Sequence, residues 1–308
     1  TRNMFTGASN SNLAIILIDS RKGVLKQSRR HLYISYLLGI KNIIVAVNKM
    51  DLIKYSKKKF LSIKKNFLEI SKDLQIDSIN FIPISALNGD MIVGRGDNLS
   101  WYKGQTLIEI LESSEIKSNN QSEQSSFPVQ LVSRVNNHKT KDFRGYMGTV
   151  TSGQFKEGLE IHIHPGRKKS KIKKIINSGD YTDVINKGQS GTLLINDELE
   201  ISRGDVITSS NYIPRIDNKI NAQICWMSDE ELNYKKKYIM KHANKTSKII
   251  ISRLINKIDI ESLKEISSDK IFKMNDIGNV EIKIHNDIVY DYYKKNKILG
   301  SFIVIDID

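Results

Sequence analysis

The tetrapeptide Asn48-Lys49-Met50-Asp51 follows directly on the apolar run Ile43 to Val47. A carboxylate at Asp51 can accept two hydrogen bonds from the N1 and exocyclic N2 groups of guanine, an edge that adenine does not offer. Charge-assisted bonds of this kind contribute roughly 1.5 to 3 kcal/mol each, enough to select GTP over ATP. Lys49 can lay its methylene stem across the base while its ammonium stays in water, and Asn48 can tie this loop to its neighbours. None of these roles moves a proton, so this is binding chemistry, and no residue of the chain is assigned a catalytic role.

The N-K-x-D pattern is short, and in a chain rich in Asn and Lys its position must carry the weight. A second element, Ser85-Ala86-Leu87, follows the apolar run Phe81-Ile82-Pro83-Ile84, and its backbone N–H groups can meet the guanine O6. Ligands of parallel α/β sheets sit just beyond the carboxyl ends of the strands, where both loops fall. The candidate nucleotide-binding residues are therefore Asn48, Lys49, Met50, Asp51, Ser85, Ala86 and Leu87, with a purely structural turn as the alternative.

The elements that must position these loops can be read from periodicity. Leu13 to Asp19, a helix-like segment from about Lys26 to Leu38, and Ile43 to Val47 give a βαβ rhythm. An amphipathic stretch from Ser56 to about Asp73, a third strand from Ile79 to Ile84 and a helix from Thr106 to Glu112 complete an α/β unit. Polar sequence without apolar period from Glu115 to Ser126 reads as a linker. Short alternating strands punctuated by glycines then suggest one small antiparallel barrel, and a break near Pro214 precedes a second. The expected partition is 1–115, a nucleotide-binding domain; 116–126, a linker; 127–212, a first β-barrel; and 218–308, a second.

At 308 residues the chain has room for two or three such modules. Its apolar runs are too short to cross a bilayer and no signal pattern opens it, so a soluble, cytoplasmic protein is expected. One cysteine, Cys225, excludes a disulfide framework or a cysteine metal cluster and reads as a buried structural thiol. The net charge of +14 admits a polyanion partner, but Lys, Ile and Asn are heavy throughout, as a base-composition bias would impose.

With these residues in place, the chain resembles the translational-factor class of GTPases, and within it the GTPase subunit of sulfate adenylyltransferase. Thr1 to Ser9 looks like the segment after the D-x-x-G switch motif. Leu17-Ile18-Asp19-Ser20-Arg21-Lys22-Gly23-Val24 and Gln27-Ser28-Arg29-Arg30-His31 favour the sulfate-activating branch over elongation factors. Trp101 to Leu107, Asp142 to Tyr146 and Ile201 to Asp205 carry further family motifs.

The resemblance implies an α/β P-loop-type GTPase domain followed by two antiparallel β-barrels, with GTP and Mg²⁺ as cofactors. It implies a heterodimer with a smaller ATP-binding sulfate adenylyltransferase subunit that makes adenosine 5′-phosphosulfate and pyrophosphate, driven by GTP hydrolysis here. Neither a nucleic-acid partner nor a membrane is expected. No G-x-x-x-x-G-K-[ST] loop and no switch I threonine are present, so the GTPase domain is expected to lack its first strands, its phosphate loop and its Mg²⁺ ligands. The polypeptide alone is then expected to be inactive as a GTPase, and its first strand to be an exposed apolar edge. A translation factor delivering aminoacyl-tRNA and a degenerate GTPase scaffold are the alternatives.

Other features have plainer readings. His162 and His164 alternate on one strand face and are expected to be solvated rather than metal-binding. Arg167 to Lys174 reads as an exposed basic hairpin and Val135 to Lys141 as a lengthened hairpin loop, while Arg144, Gly145 and Gly148 fall where related β-barrels turn and meet the nucleotide domain and read as domain-packing rather than catalytic residues. Asp19 ends the first strand and could face the nucleotide pocket, cap a helix or bond its loop.

Overall fold

A computed structural model describes residues 2–114, 124–137, 140–267 and 271–306. The chain divides into two compact units, one formed by Thr1–Lys117, Gln223–Leu232 and Ile255–Asn279, the other by Ser118–Ala222, Asn233–Leu254 and Val280–Asp308.

In the first unit, helix α1 (Arg2–Ala8) precedes strand β1 (Leu13–Asp19), helix α2 (Lys26–Leu37) and strand β2 (Asn42–Asn48). Helix α3 (Lys57–Ser71), strand β3 (Ser78–Pro83) and helix α4 (Leu107–Ser113) follow. The strands form a parallel sheet in the order β1-β2-β3. Ile43 to Val47 of β2 are buried without alternation, as befits a central strand covered on both faces. On α3, Phe60, Ile63, Phe67 and Ser71 are buried at helical spacing. Thr106 and Glu109 close a capping box at the start of α4, with Thr106 N–H donating to Glu109 Oε2 at 2.8 Å. Strand β1 ends the sheet on one side, and on it Ile15 and Leu17 are exposed while Ile16 and Ile18 are buried.

The second unit contains β4 (Ser126–Asn137), β5 (Thr140–Thr149), β6 (Gln154–Lys156), β7 (Glu160–His164), β8 (Lys168–Asn177), β9 (Asp180–Thr182), β10 (Val184–Asn186), β11 (Ser190–Ile195) and β12 (Val206–Ser209). The order β11-β5-β4-β12-β7-β8 closes because β11 also pairs with β8, and each of these ladders is antiparallel. That is a barrel, filled by Phe127, Val129, Tyr146, Phe155, Ile161 and Ile207 among others.

Another sheet is formed by β13 (Arg215–Cys225), β14 (Tyr238–His242), β15 (Lys245–Ile258), β16 (Glu265–Ile266), β17 (Ile277–Tyr290) and β18 (Phe302–Ile305), in the order β13-β17-β15-β14-β18 with β16 on β15. In the second unit β14 runs antiparallel to both β15 and β18, and in the first β15 runs antiparallel to β16.

Several expectations change. Arg144, Gly145 and Gly148 lie within β5 rather than at a turn. Gly148 faces Gly191 across the β5–β11 ladder, and a Cβ on Gly148 would sit 2.5 Å from the Pro128 carbonyl, so its role is close backbone approach. The extra length before Asp142 is strand rather than loop, since Asn137 pairs with Thr140. The tip, His138 and Lys139, lies outside the described residues, as do residues 116–123 of the expected 116–126 linker, whose last residue, Ser126, already opens β4.

His164 is not solvated: it is 5 % exposed, because β12 pairs alongside β7 and sets Val206 opposite it. Its Nε2 lies 3.2 Å from Thr208 Oγ1, and burial pushes the imidazole down to about 4. The basic run forms the β7–β8 hairpin, with Lys169, Lys171 and Lys173 exposed. Cys225 is half-buried, and burial pushes its thiol up to about 11.

Candidate nucleotide-binding site

Both loops sit at the carboxyl ends of adjacent strands. Val47 pairs with Pro83, so the residues that follow β2 and those that follow β3 emerge side by side. Lys49 has a left-handed backbone, φ 62°, which turns the chain sharply into the 3-10 turn Met50–Ile53. Met50 is fully buried, and its N–H donates to the Ile84 carbonyl at 3.2 Å. The Met50 side chain thus anchors the loop from below, leaving Lys49 and Asp51 at the surface.

Asn48 links the two loops through one oxygen. Its Oδ1 accepts from Lys49 N–H at 2.6 Å and from Ala86 N–H at 3.0 Å. Ser85, fully buried, donates its hydroxyl to Asp51 Oδ1 at 2.7 Å. Asp51 Oδ2 has no protein partner among the described residues. The Ser85 hydroxyl also accepts from Asn88 N–H at 3.4 Å. With Ala86 N–H committed to Asn48, Leu87 N–H is the amide of this trio left without a protein acceptor among the described residues; the Leu87 side chain is 85 % exposed.

Residues that the motif did not reveal hold the loops from two sides. On the β1 side, Asp19 pairs in register with Asn48, and its Oδ2 lies 3.1 Å from Lys49 Nζ. Arg21 binds the same carboxylate with Nη2 at 2.6 Å from Oδ2 and Nε at 3.0 Å from Oδ1. The Arg21 guanidinium holds the Asp19 carboxyl well below the usual carboxylate range. Ser20 is buried and donates to the Lys49 carbonyl at 2.8 Å. The Lys49 ammonium, expected in open water, is thus paired with Asp19.

Below the loops, Tyr55 donates to Asp90 Oδ2 at 2.7 Å and accepts from Asn88 Nδ2 at 2.9 Å. Asn98 Nδ2 donates to the same Asp90 oxygen at 3.2 Å, and Trp101 Nε1 donates to the Tyr55 carbonyl at 2.9 Å. Burial raises the Tyr55 phenol, which stays a donor at neutral pH. Trp101 packs tilted and Tyr102 edge-on against Phe60 of α3, so the Trp101–Leu107 motif serves as scaffold for the turn.

This arrangement offers a carboxylate oxygen, an amide and an alkyl stem on an open rim, which is a surface for the edge and face of a planar base. Among the described residues no group of three His, Cys, Asp or Glu could hold a metal ion, and no helix is long and apolar enough to cross a membrane. A separate cavity, lined by Leu13, Asn42, Ser78, Asn80, Gln105 and Ser114, lies at the opposite ends of the strands, away from these loops.

Comparison with known proteins accords with this geometry. Residues 1–143 match the family model described as elongation factor Tu GTP binding domain, and residues 219–308 match the GTP-eEF1A C-terminal domain-like family. Over 306 residues, 99 % of its length, the chain is 42 % identical to sulfate adenylyltransferase subunit 1 of Alteromonas mediterranea and 40 % identical to that of Teredinibacter turnerae. It spans 64 % of the length of each. A bifunctional enzyme CysN/CysC of Rhodopirellula baltica is 40 % identical over 99 % of the chain and 47 % of that relative.

Among solved structures, sup35 complexed with GMPPNP superposes with a TM-score of 0.54 at 17 % identity, covering 98 % of this chain and 76 % of that one. Apo translation elongation factor SelB of Methanococcus maripaludis gives 0.51 at 19 % identity, covering 100 % and 63 %. These likenesses concern fold alone: a GTPase domain followed by β-barrel sheets of translation-factor type.

Proposed function

We infer that the chain belongs to the family of sulfate adenylyltransferase subunit 1 proteins, two of which it matches at 40 and 42 % identity over 64 % of their length, and we propose that it carries the guanine-recognition half of a GTP-driven sulfate-activating enzyme. Asp51 takes the N1 and N2 edge of guanine, Lys49 covers the face of the base, and Leu87 N–H meets O6. Met50 is the buried anchor; Asn48, Ser85 and Ala86 hold the two loops together. The observation that carries this reading is Asp51 itself, oriented through Oδ1 by a buried hydroxyl and open at Oδ2 on the rim of a parallel sheet.

GTP supplies an exergonic hydrolysis; this chain's residues select and orient its base. The partner would be a smaller subunit that joins ATP and sulfate to form adenosine 5′-phosphosulfate and pyrophosphate. The domain partition that goes with this is a nucleotide domain over 1–115, a barrel over 127–212 and a second over 218–308. The 308 residues contain no G-x-x-x-x-G-K-[ST] run and no assigned Mg²⁺ ligand, so this polypeptide alone binds guanine nucleotides weakly and does not hydrolyse GTP.

The test is pyrophosphate release from ATP and sulfate, measured with the protein as encoded and its smaller partner. GTP should stimulate the reaction and ITP, which lacks the N2 amino group, should do so poorly. Absence of any GTP effect, together with co-sedimentation with ribosomes, would transfer the chain to translation.

A further inference from the structure

Lys49 is fastened at both ends by the end of β1. Its carbonyl accepts the Ser20 hydroxyl at 2.8 Å, and its ammonium lies 3.1 Å from Asp19 Oδ2. Ser20 N–H also donates to the Asn48 carbonyl at 2.9 Å, so the register of β1 on β2 delivers both residues to one side of the loop. Arg21 in turn fixes Asp19, with its backbone N–H and Nε both 3.0 Å from Oδ1 and Nη2 on Oδ2. The Asp19 side chain is 18 % exposed, whereas that of Lys49 is 48 % exposed, so the buried partner dictates the position of the open one.

We propose that Asp19 and Ser20 are positioning residues for guanine-nucleotide recognition, holding the lysine stem stretched between two anchors so that it presents a preformed apolar face to the base. The inference rests on the reading of Asn48 to Asp51 as the base-binding loop. A free lysine has many rotamers, and immobilising such a side chain on binding weakens affinity. A stem ordered beforehand avoids that loss. The Asp19–Lys49 pair is open to solvent on the Lys49 side, so its contribution lies in order rather than in net stability.

The protein as encoded, titrated with a fluorescent GDP analogue, tests this as a double-mutant cycle. Asp19→Asn should weaken binding about threefold to tenfold, chiefly through faster release. In a Lys49→Met background the same change should cost almost nothing, because the side chain it positions is gone. Ser20→Ala should act in the same direction as Asp19→Asn. A merely structural Asp19 would give equal losses in both backgrounds, and that result, or no loss in either, overturns the proposal. Asp51→Asn is the separate control: if it too leaves guanine affinity unchanged, the base-site reading fails, whereas a large Asp51 effect beside a null Asp19 effect sinks the positioning role alone. Thermal melting of each variant identifies any that does not fold, and GDP release from the wild type in rising salt gives a second measure, since screening the pair should speed it.

Discussion

Ser85 and Asp51, 34 positions apart, are joined by a 2.7 Å hydrogen bond in which the buried hydroxyl donates to Oδ1. The bond fixes the carboxylate plane and leaves the second oxygen without a protein partner among the described residues. Asp51→Asn replaces that acceptor with an amide that can donate. Guanine nucleotide affinity should fall about tenfold to a hundredfold for each charge-assisted bond lost, and xanthine nucleotides, whose C2 carbonyl accepts, should gain. Competition against a fluorescent guanine nucleotide measures both, and unchanged guanine affinity would remove Asp51 from the site.

Ser85→Ala leaves Asp51 able to rotate and Asn88 N–H without its acceptor. One neutral-to-charged bond of this kind is worth about 1.5 to 3 kcal/mol at most, so binding should weaken by roughly tenfold while the fold persists. Ser85→Cys, close in size and a weak donor, should fall between. Titration calorimetry on the protein as encoded would decide the order of the three.

Asn48→Ala removes the oxygen that serves Lys49 and Ala86. Two backbone N–H groups lose their acceptor at once, at a cost of about 1 to 3 kcal/mol. Both melting temperature and guanine affinity should drop, and Asn48→Asp should recover part of the melting temperature because a carboxylate still accepts.

Gly148→Ala tests the barrel independently of any ligand. Its new Cβ would meet the Pro128 carbonyl at 2.5 Å and the Phe127 ring at 2.8 Å, and the carbonyl, being backbone, retreats only if β4 shifts away from β5. Overpacking of this sort costs about 1 to 3 kcal/mol, seen as an earlier urea midpoint, and a neutral result would show that the strands can separate locally.

His164 gives a pH signature. Its imidazole is pushed down to about 4 by burial, against about 6.5 when unfolded. Above pH 6.5 neither state binds the proton and the group has no effect. As pH falls, the unfolded state takes up the proton first, so stability declines between about 6.5 and 4, by at most about 3 kcal/mol. His164→Gln should flatten that part of the urea-midpoint profile. An unchanged profile would assign the acid sensitivity to other groups.

The placement of the two candidate loops was legible because it is local. Asn48 to Asp51 and Ser85 to Leu87 each sit at the end of a continuous apolar strand, and the chemistry of a strand end needs no knowledge of distant contacts. The clamp on Lys49 was not legible, because it depends on Asp19 standing opposite Asn48, a matter of which strands pair and in what register. Nor was the scaffold beneath, where Tyr55 reaches Asp90 across 35 positions. Alternation put His162 and His164 on one side of a strand, yet alternation cannot say which side a closing barrel will cover. Gly148 misled for a related reason: glycine marks close backbone approach as often as it marks a bend, and only the neighbouring β4 distinguishes them.

A single carbonyl on Asn48 caps amides from two separate loops, and this makes the rim one stiff jaw rather than two hinged fingers. Any displacement that a nucleotide forces on the N-K-x-D turn must therefore drag the S-A-L segment with it. Damage at either loop should accordingly be felt at the other, as though the ligand gripped a solid edge.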